Sequence, residues 1–137
     1  RAEEKGYVSP ICVSKEATDI NYDNAVQYML EHIEKMSIFA GTHNELSSYK
    51  LMEMMAQKGI AKNDSRIWFG QLYGMSDNIS YNLAENGYNV AKYLPFGPVK
   101  DVMPYLIRRA EENTSVAGQT SRELSMIKAE RKRRKGK

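Results

Sequence analysis

Tyr93-Leu-Pro-Phe-Gly-Pro-Val-Lys-Asp-Val-Met-Pro-Tyr-Leu-Ile-Arg-Arg-Ala-Glu-Glu-Asn-Thr-Ser115 decides how this chain is read. The stretch starts at the end of a short strand, turns through Pro95-Phe-Gly-Pro98 and enters a helix. Val99, Val102, Met103, Leu106, Ile107 and Ala110 recur at helical spacing and make one apolar stripe. Tyr105 and Arg109, four apart, share one flank, whereas Arg108 lies nearly opposite the stripe. Asp101 is the expected N-cap, which puts Pro104 in the first turn, where its missing N–H costs nothing. Two arginines and two tyrosines beside a strand end suit a small carboxylate. A guanidinium offers a planar fork that matches the carboxylate, and a tyrosine ring can wall the pocket. The same residues also fit a surface helix on which Arg108 pairs with Glu112.

Upstream, strands and helices alternate. Ser14 is placed to cap a helix from about residue 15 to 35, in which Ala25, Val26, Met29, Leu30, Ile33 and Met36 keep period. Ser37-Ile-Phe-Ala-Gly41 reads as a covered strand, followed by a helix from about Glu45 to Lys58 that Gly59-Ile60 stops. Arg66-Ile-Trp-Phe-Gly-Gln-Leu72 reads as a second strand, and Ser76 or Asp77 caps a short helix carrying Ile79 and Leu83. Tyr88-Asn-Val-Ala-Lys-Tyr-Leu94 is the third strand. After the arginine helix, Gly118-Gln-Thr-Ser121 punctuates, and an amphipathic helix from about Arg122 runs into a basic tail. Short connections between alternating elements argue for parallel βαβ units, either in a small open sheet or as the last part of a barrel. Residues 1–121 form that α/β unit and residues 122–137 the tail.

Composition narrows the chemistry. Lys128 to Lys137 holds seven basic residues against Glu130, a net +6, so the preceding 127 residues carry −3 of the chain's +3. Only the tail is basic. It reads first as a solvated helix end, with nucleic acid or an anionic membrane as the alternatives. Cys12 is the single cysteine, which rules out an internal disulfide. His32 and His43 stand in no cluster with metal-site spacing, so no metal is expected. Trp68, Phe69 and Met75 read as core. Arg1 opens the chain in a charged run that reads as part of a helix, so a fragment or processed chain is expected.

All three strand exits are polar or aromatic: Gly41-Thr-His-Asn44, Gln71-Leu-Tyr-Gly74 and Tyr93-Leu-Pro-Phe-Gly97. Carboxyl ends of parallel strands are where α/β enzymes place ligands. Taken singly, His43 fits a hydrogen-bonded structural residue, Asn44 a helix cap and Gln71 a buried amide tying strands together.

Gly41-Thr-His-Asn44, Gln71-Leu-Tyr-Gly-Met-Ser-Asp77, Lys92-Tyr-Leu-Pro-Phe-Gly97 and Tyr105-Leu-Ile-Arg-Arg-Ala-Glu-Glu-Asn113 occur in this order. Together they resemble the carboxy-terminal part of the proline dehydrogenases, flavoenzymes that oxidise L-proline. The likeness runs from about residue 1 to Ser121. It implies the last three strand–helix units of a (β/α)8 TIM barrel, with the arginine helix lying over the barrel mouth and the earlier strands missing. It implies that Arg108 and Arg109 grip the proline carboxylate with Tyr93 and Tyr105 against the ring. Thr42, His43 and Asn44 inherit contacts to FAD, Gln71 and Leu72 line the flavin and substrate pocket, and Glu112 lies near the cofactor or the arginine network. The implied reaction yields Δ1-pyrroline-5-carboxylate and passes electrons to a quinone. The implied setting is cytoplasmic, peripheral to the inner membrane, or the matrix side in a mitochondrion, with no nucleic acid partner. FAD enters through the resemblance alone, since the chain has no GxGxxG. Lacking the residues of the earlier strands, the chain alone is expected to be inactive. The rival reading is a non-catalytic α/β binding module whose tail engages nucleic acid or an acidic partner.

Overall fold

The computed structural model describes residues 2–114 and positions 128, 131, 132, 134 and 135, with the side chains at 3 and 112–114 left aside. The helix expected from Arg122 lies outside the described residues, as does the Glu112 side chain. The elements are α1 (Lys15–Glu31), β1 (Ile38–Gly41), α2 (Glu45–Gln57), β2 (Ile67–Leu72), α3 (Asp77–Glu85), β3 (Val90–Tyr93) and α4 (Val99–Thr114).

The three strands are parallel in the order β1-β2-β3, with Ile38 opposite Ile67 and Phe69 opposite Val90. Side chains alternate across the sheet, so Ile38, Ala40, Ile67 and Phe69 share one face. All four are buried in one cluster with Val26 and Leu30 of α1, Leu51 and Met55 of α2, and Ile79 and Leu83 of α3. Phe69 stands edge-on to Tyr88, ring centroids 5.5 Å apart. Burying each of the larger side chains among these stabilises the fold by about 1.5–3 kcal/mol. Tyr22 of α1 packs against this layer, and burial, helped by the charge of Asp23, pushes its phenol pKa up.

The opposite face carries no helix from α1 to α3. Phe39, Trp68 and Tyr93 are exposed there, and the Phe39 ring lies across Gly70, where an added Cβ would meet it at 2.3 Å. Consecutive parallel strands with helices on one face give a singly wound sheet rather than a doubly wound one.

Several expectations need correction. Trp68 is 40 % exposed rather than core, because its neighbours Ile67 and Phe69 both face the helices and alternation turns it outward. Its indole donates to the Ser65 carbonyl at 3.1 Å. α1 ends at Glu31, where a short-range bond from His32 N–H to Met29 O closes it; Ile33 packs on the core from the following turn, so the apolar period outruns the helix. Asp101 is not the cap of α4. The Pro98 carbonyl accepts from Asp101 and Val102 N–H, so the helix starts at Val99 and Pro104 sits inside it, unable to donate to Lys100 O. The stop at Gly59 is as expected: its φ of 67° lets Ile60 N–H reach Met55 O at 2.9 Å.

The amino ends of the strands are closed by polar bonds within the chain. Asp64 takes the Arg66 fork, Nε at 2.9 Å and Nη2 at 2.7 Å, together with Arg66 N–H. These bonds hold the Asp64 carboxyl at about 2. Asn89 Nδ2 donates to Asp64 O and Ile67 O, tying the start of β3 to that of β2.

Candidate active site

At the carboxyl ends a concavity of about 230 Å³ opens between the sheet's bare face and the first loop residues. Phe39, Gly41, Thr42, His43, Gly70, Gln71, Leu72 and Tyr93 line it. The apolar wall of Phe39, Leu72 and Tyr93 suits a planar ligand, while Thr42 and His43 bring polar groups to one edge.

Each polar group is held by a short network. Thr42 Oγ1 accepts from Asn44 N–H at 3.0 Å, which folds the β1 exit into a tight turn. Asn44 Oδ1 then caps α2, accepting from Leu46 and Ser47 N–H. Gln71 reaches across beneath the concavity: Nε2 donates to Thr42 O at 3.4 Å, and Oε1 accepts from Ser80 Oγ at 2.8 Å. Its amide therefore ties the two strand exits to α3 while the residue also borders the concavity. His43 Nδ1 lies 2.8 Å from Ser76 Oγ. From the other side Lys92 Nζ donates to Met75 O and pairs with Asp77, both at 2.7 Å. The β2–α3 connection is thus gripped by His43 and by Lys92.

Above β3, Tyr105 of α4 meets Tyr93 edge-on, centroids 5.8 Å apart, and the Arg109 guanidinium sits 5.2 Å from the Tyr105 ring. A cation over a ring face is attracted by the ring quadrupole, which holds the guanidinium against Tyr105. Tyr105 Oη is sealed from solvent and has no hydrogen-bond partner among the described residues. A buried hydroxyl left without any partner costs about 1–3 kcal/mol, so a partner beyond the described residues is expected there. Arg108 is exposed and stands apart from this ladder. α4 packs along none of α1–α3 and meets the sheet through Tyr105; Val99, Met103, Leu106 and Ile107 of its apolar stripe are exposed.

Of the residues singled out from sequence, Thr42, His43, Gln71, Leu72 and Tyr93 converge on one concavity, with Tyr105 and Arg109 beside Tyr93. Asn44 adjoins it as a helix cap. Sequence reasoning missed Phe39, Lys92 and the Ser76–Ser80 pair. Alternation carries a signal for Lys92: it is in register with Gln71 on the helix side, where a lysine needs a carboxylate partner. Among the described residues no three His, Cys, Asp or Glu side chains group as a metal site would need.

Residues 1–122 match the proline dehydrogenase family. The chain is 42 % identical to human mitochondrial proline dehydrogenase 1 over 137 residues, covering 98 % of this chain and 23 % of that protein. It is 40 % identical to the hydroxyproline dehydrogenase of Xenopus laevis, covering 97 % of this chain and 29 % of the relative. The chain thus spans less than a third of the length of these relatives. Its structure is similar to the crystal structure of proline utilization A (PutA) from Bdellovibrio bacteriovorus inactivated by N-propargylglycine, with a TM-score of 0.74 and 32 % identity, over 85 % of this chain and 12 % of that one. The match to a family over nearly all of its residues, together with the site at its strand exits, settles the membership: the chain belongs to the proline dehydrogenase family.

Proposed function

We propose that this chain forms the last three strand–helix units of a (β/α)8 barrel that oxidises L-proline to Δ1-pyrroline-5-carboxylate with bound FAD. The observation that carries the reading is the ladder of Tyr93, Tyr105 and Arg109 over the strand exits. Arg109, held against Tyr105, binds the substrate carboxylate, with Arg108 as the second fork once the substrate draws it in. The Tyr93 and Tyr105 rings wall the pyrrolidine ring and keep water from it. Such orientation accounts for a large part of what a protein contributes to a cofactor-driven oxidation.

The residues present fit a flavin. Phe39 and Leu72 offer a flat apolar wall, Thr42 and His43 lie along one edge, and Asn44 holds the turn that carries them. Bound FAD supplies the acceptor for the hydride leaving the carbon next to nitrogen, and the route of its electrons to a quinone. By the resemblance, Glu112 is assigned to the cofactor or to the arginine network. The bare sheet face needs the earlier barrel strands to close it, so the chain alone is inactive on this reading. Hydroxyproline is the second substrate to consider, because a relative of nearly the same identity, 40 % against 42 %, is named a hydroxyproline dehydrogenase. Relatives from human and Drosophila melanogaster are named mitochondrial, which supports the matrix side of a mitochondrion; peripheral contact with the inner membrane fits the quinone acceptor. No helix among the described residues is long and apolar enough to cross a membrane.

The test is anaerobic titration of the full-length parent protein with L-proline, followed by flavin absorbance, with Arg109→Ala alongside. Losing a paired, charge-assisted contact raises the proline concentration needed by about 100-fold. An unchanged midpoint in Arg109→Ala would remove the carboxylate clamp from the account.

A further inference from the structure

Ser76 breaks two local rules at once. Its φ of 50° and ψ of 42° make it the one non-glycine residue with positive φ among the described residues, a conformation that strains an L-residue by about 1–2 kcal/mol. It also stands at the N-cap of α3, where a serine ordinarily bonds the helix N–H groups, yet its side chain makes no cap bond. The hydroxyl is turned instead to His43 Nδ1, 2.8 Å away and 33 positions earlier in the chain.

The surroundings enforce this choice. Ser76 O accepts from Ile79 N–H at 3.1 Å, Ser80 N–H at 3.2 Å and Ser80 Oγ at 3.3 Å, fixing the carbonyl into α3. One residue before, Met75 O is held by Lys92 Nζ, and one residue after, Asp77 pairs with the same lysine. Gly74, with φ of 77°, supplies the reversal that delivers the segment. Strain of this kind persists where neighbours over-determine it, and it clusters where ligands are bound. Among the described residues the Ser76 hydroxyl bonds no side chain other than His43, through Nδ1.

We propose that Ser76 is a positioning residue: its hydroxyl donates to His43 Nδ1 and so holds the imidazole neutral with its proton on Nε2. His43 lines the concavity. In this tautomer it is a hydrogen-bond donor to an acceptor atom of the bound flavin, a role that rests on the flavin reading above. The peculiar backbone of Ser76 is then the geometry that puts a hydroxyl, rather than a helix cap, at this spot.

Glycine adopts φ near 50° without strain, so Ser76→Gly removes the hydroxyl while favouring the fold. The experiment uses the full-length parent protein, with and without FAD, labelled with 15N-histidine, and reads the two-bond ring correlations that separate protonated from unprotonated nitrogens. His43→Asn identifies the signal. The expected result is a His43 resonance protonated at Nε2 in the wild type. In Ser76→Gly a mixture of tautomers appears, the melting temperature is unchanged or higher, and the FAD dissociation constant is about three- to tenfold weaker. A wild-type His43 protonated at Nδ1 overturns the proposal, as does a Ser76→Gly protein with the same tautomer and the same FAD affinity. A wild-type protein that binds no FAD yet keeps the Nε2 proton overturns the flavin reading and supports the tautomer assignment alone.

Discussion

The two ends of the three-stranded sheet treat polar groups in opposite ways. At the amino ends Asp64, Arg66 and Asn89 find their partners within the chain, and the Asp64 carboxyl is held at about 2 by the Arg66 fork. At the carboxyl ends Tyr105 Oη is buried without a partner among the described residues, Ser76 is held in a left-handed conformation, and the Phe39 and Tyr93 rings stay open. In parallel α/β folds the first pattern belongs to stability and the second to ligand binding. Nothing in strand composition separates the two ends; the direction of the chain does.

That contrast can be broken by substitution in the full-length protein. The largest effect belongs to the layer that both ends share: Phe69→Ala opens a cavity beneath the sheet and is expected to lower unfolding stability by about 3–5 kcal/mol in denaturant titrations. A cost below about 1 kcal/mol would mean that the helix-side layer is not the core. Tyr105→Phe comes next. Removing a buried hydroxyl with no partner among the described residues leaves apo stability unchanged or raises it by about 1 kcal/mol, while the proline affinity of the holoprotein drops about fivefold. A clear loss of apo stability would show that the hydroxyl serves the fold and would move Tyr105 to the stability side.

The smallest effect is at Asp64. Its folded pKa of about 2 lies below the ordinary 3.8, so the Arg66 pair stabilises the protein above 3.8 and that contribution is lost as pH falls towards 2. Arg66 is exposed and Asp64 half-buried at the surface, so solvent screens the pair and keeps the contribution small. Wild type and Asp64→Asn should differ slightly at neutral pH and converge between about pH 4 and 2. Curves that diverge on acidification would contradict the assignment.

Much of this was legible before any coordinates. Ile38, Ala40, Ile67 and Phe69 announce covered strands, Gly59 announces a helix stop, and strand–helix alternation places Thr42, His43, Gln71 and Tyr93 at one end. Trp68 was misplaced because an aromatic in a strand shows its β preference but not its face until the register is known. The start of α4 was misplaced because Asp101 has good capping chemistry, yet Pro98, with its fixed φ, already leads the chain into the helix. Periodicity gave α4 an apolar stripe without saying what covers it, and the described residues leave that stripe exposed. The Ser76–His43 contact spans 33 positions and depends on a backbone conformation that a serine does not advertise.

The most direct measurement is anaerobic titration of the full-length parent protein with L-proline, with L-hydroxyproline in parallel, while its flavin absorbance is recorded. The account predicts bound flavin that bleaches stoichiometrically with L-proline. A protein without flavin, or with flavin that proline leaves oxidised, would contradict it.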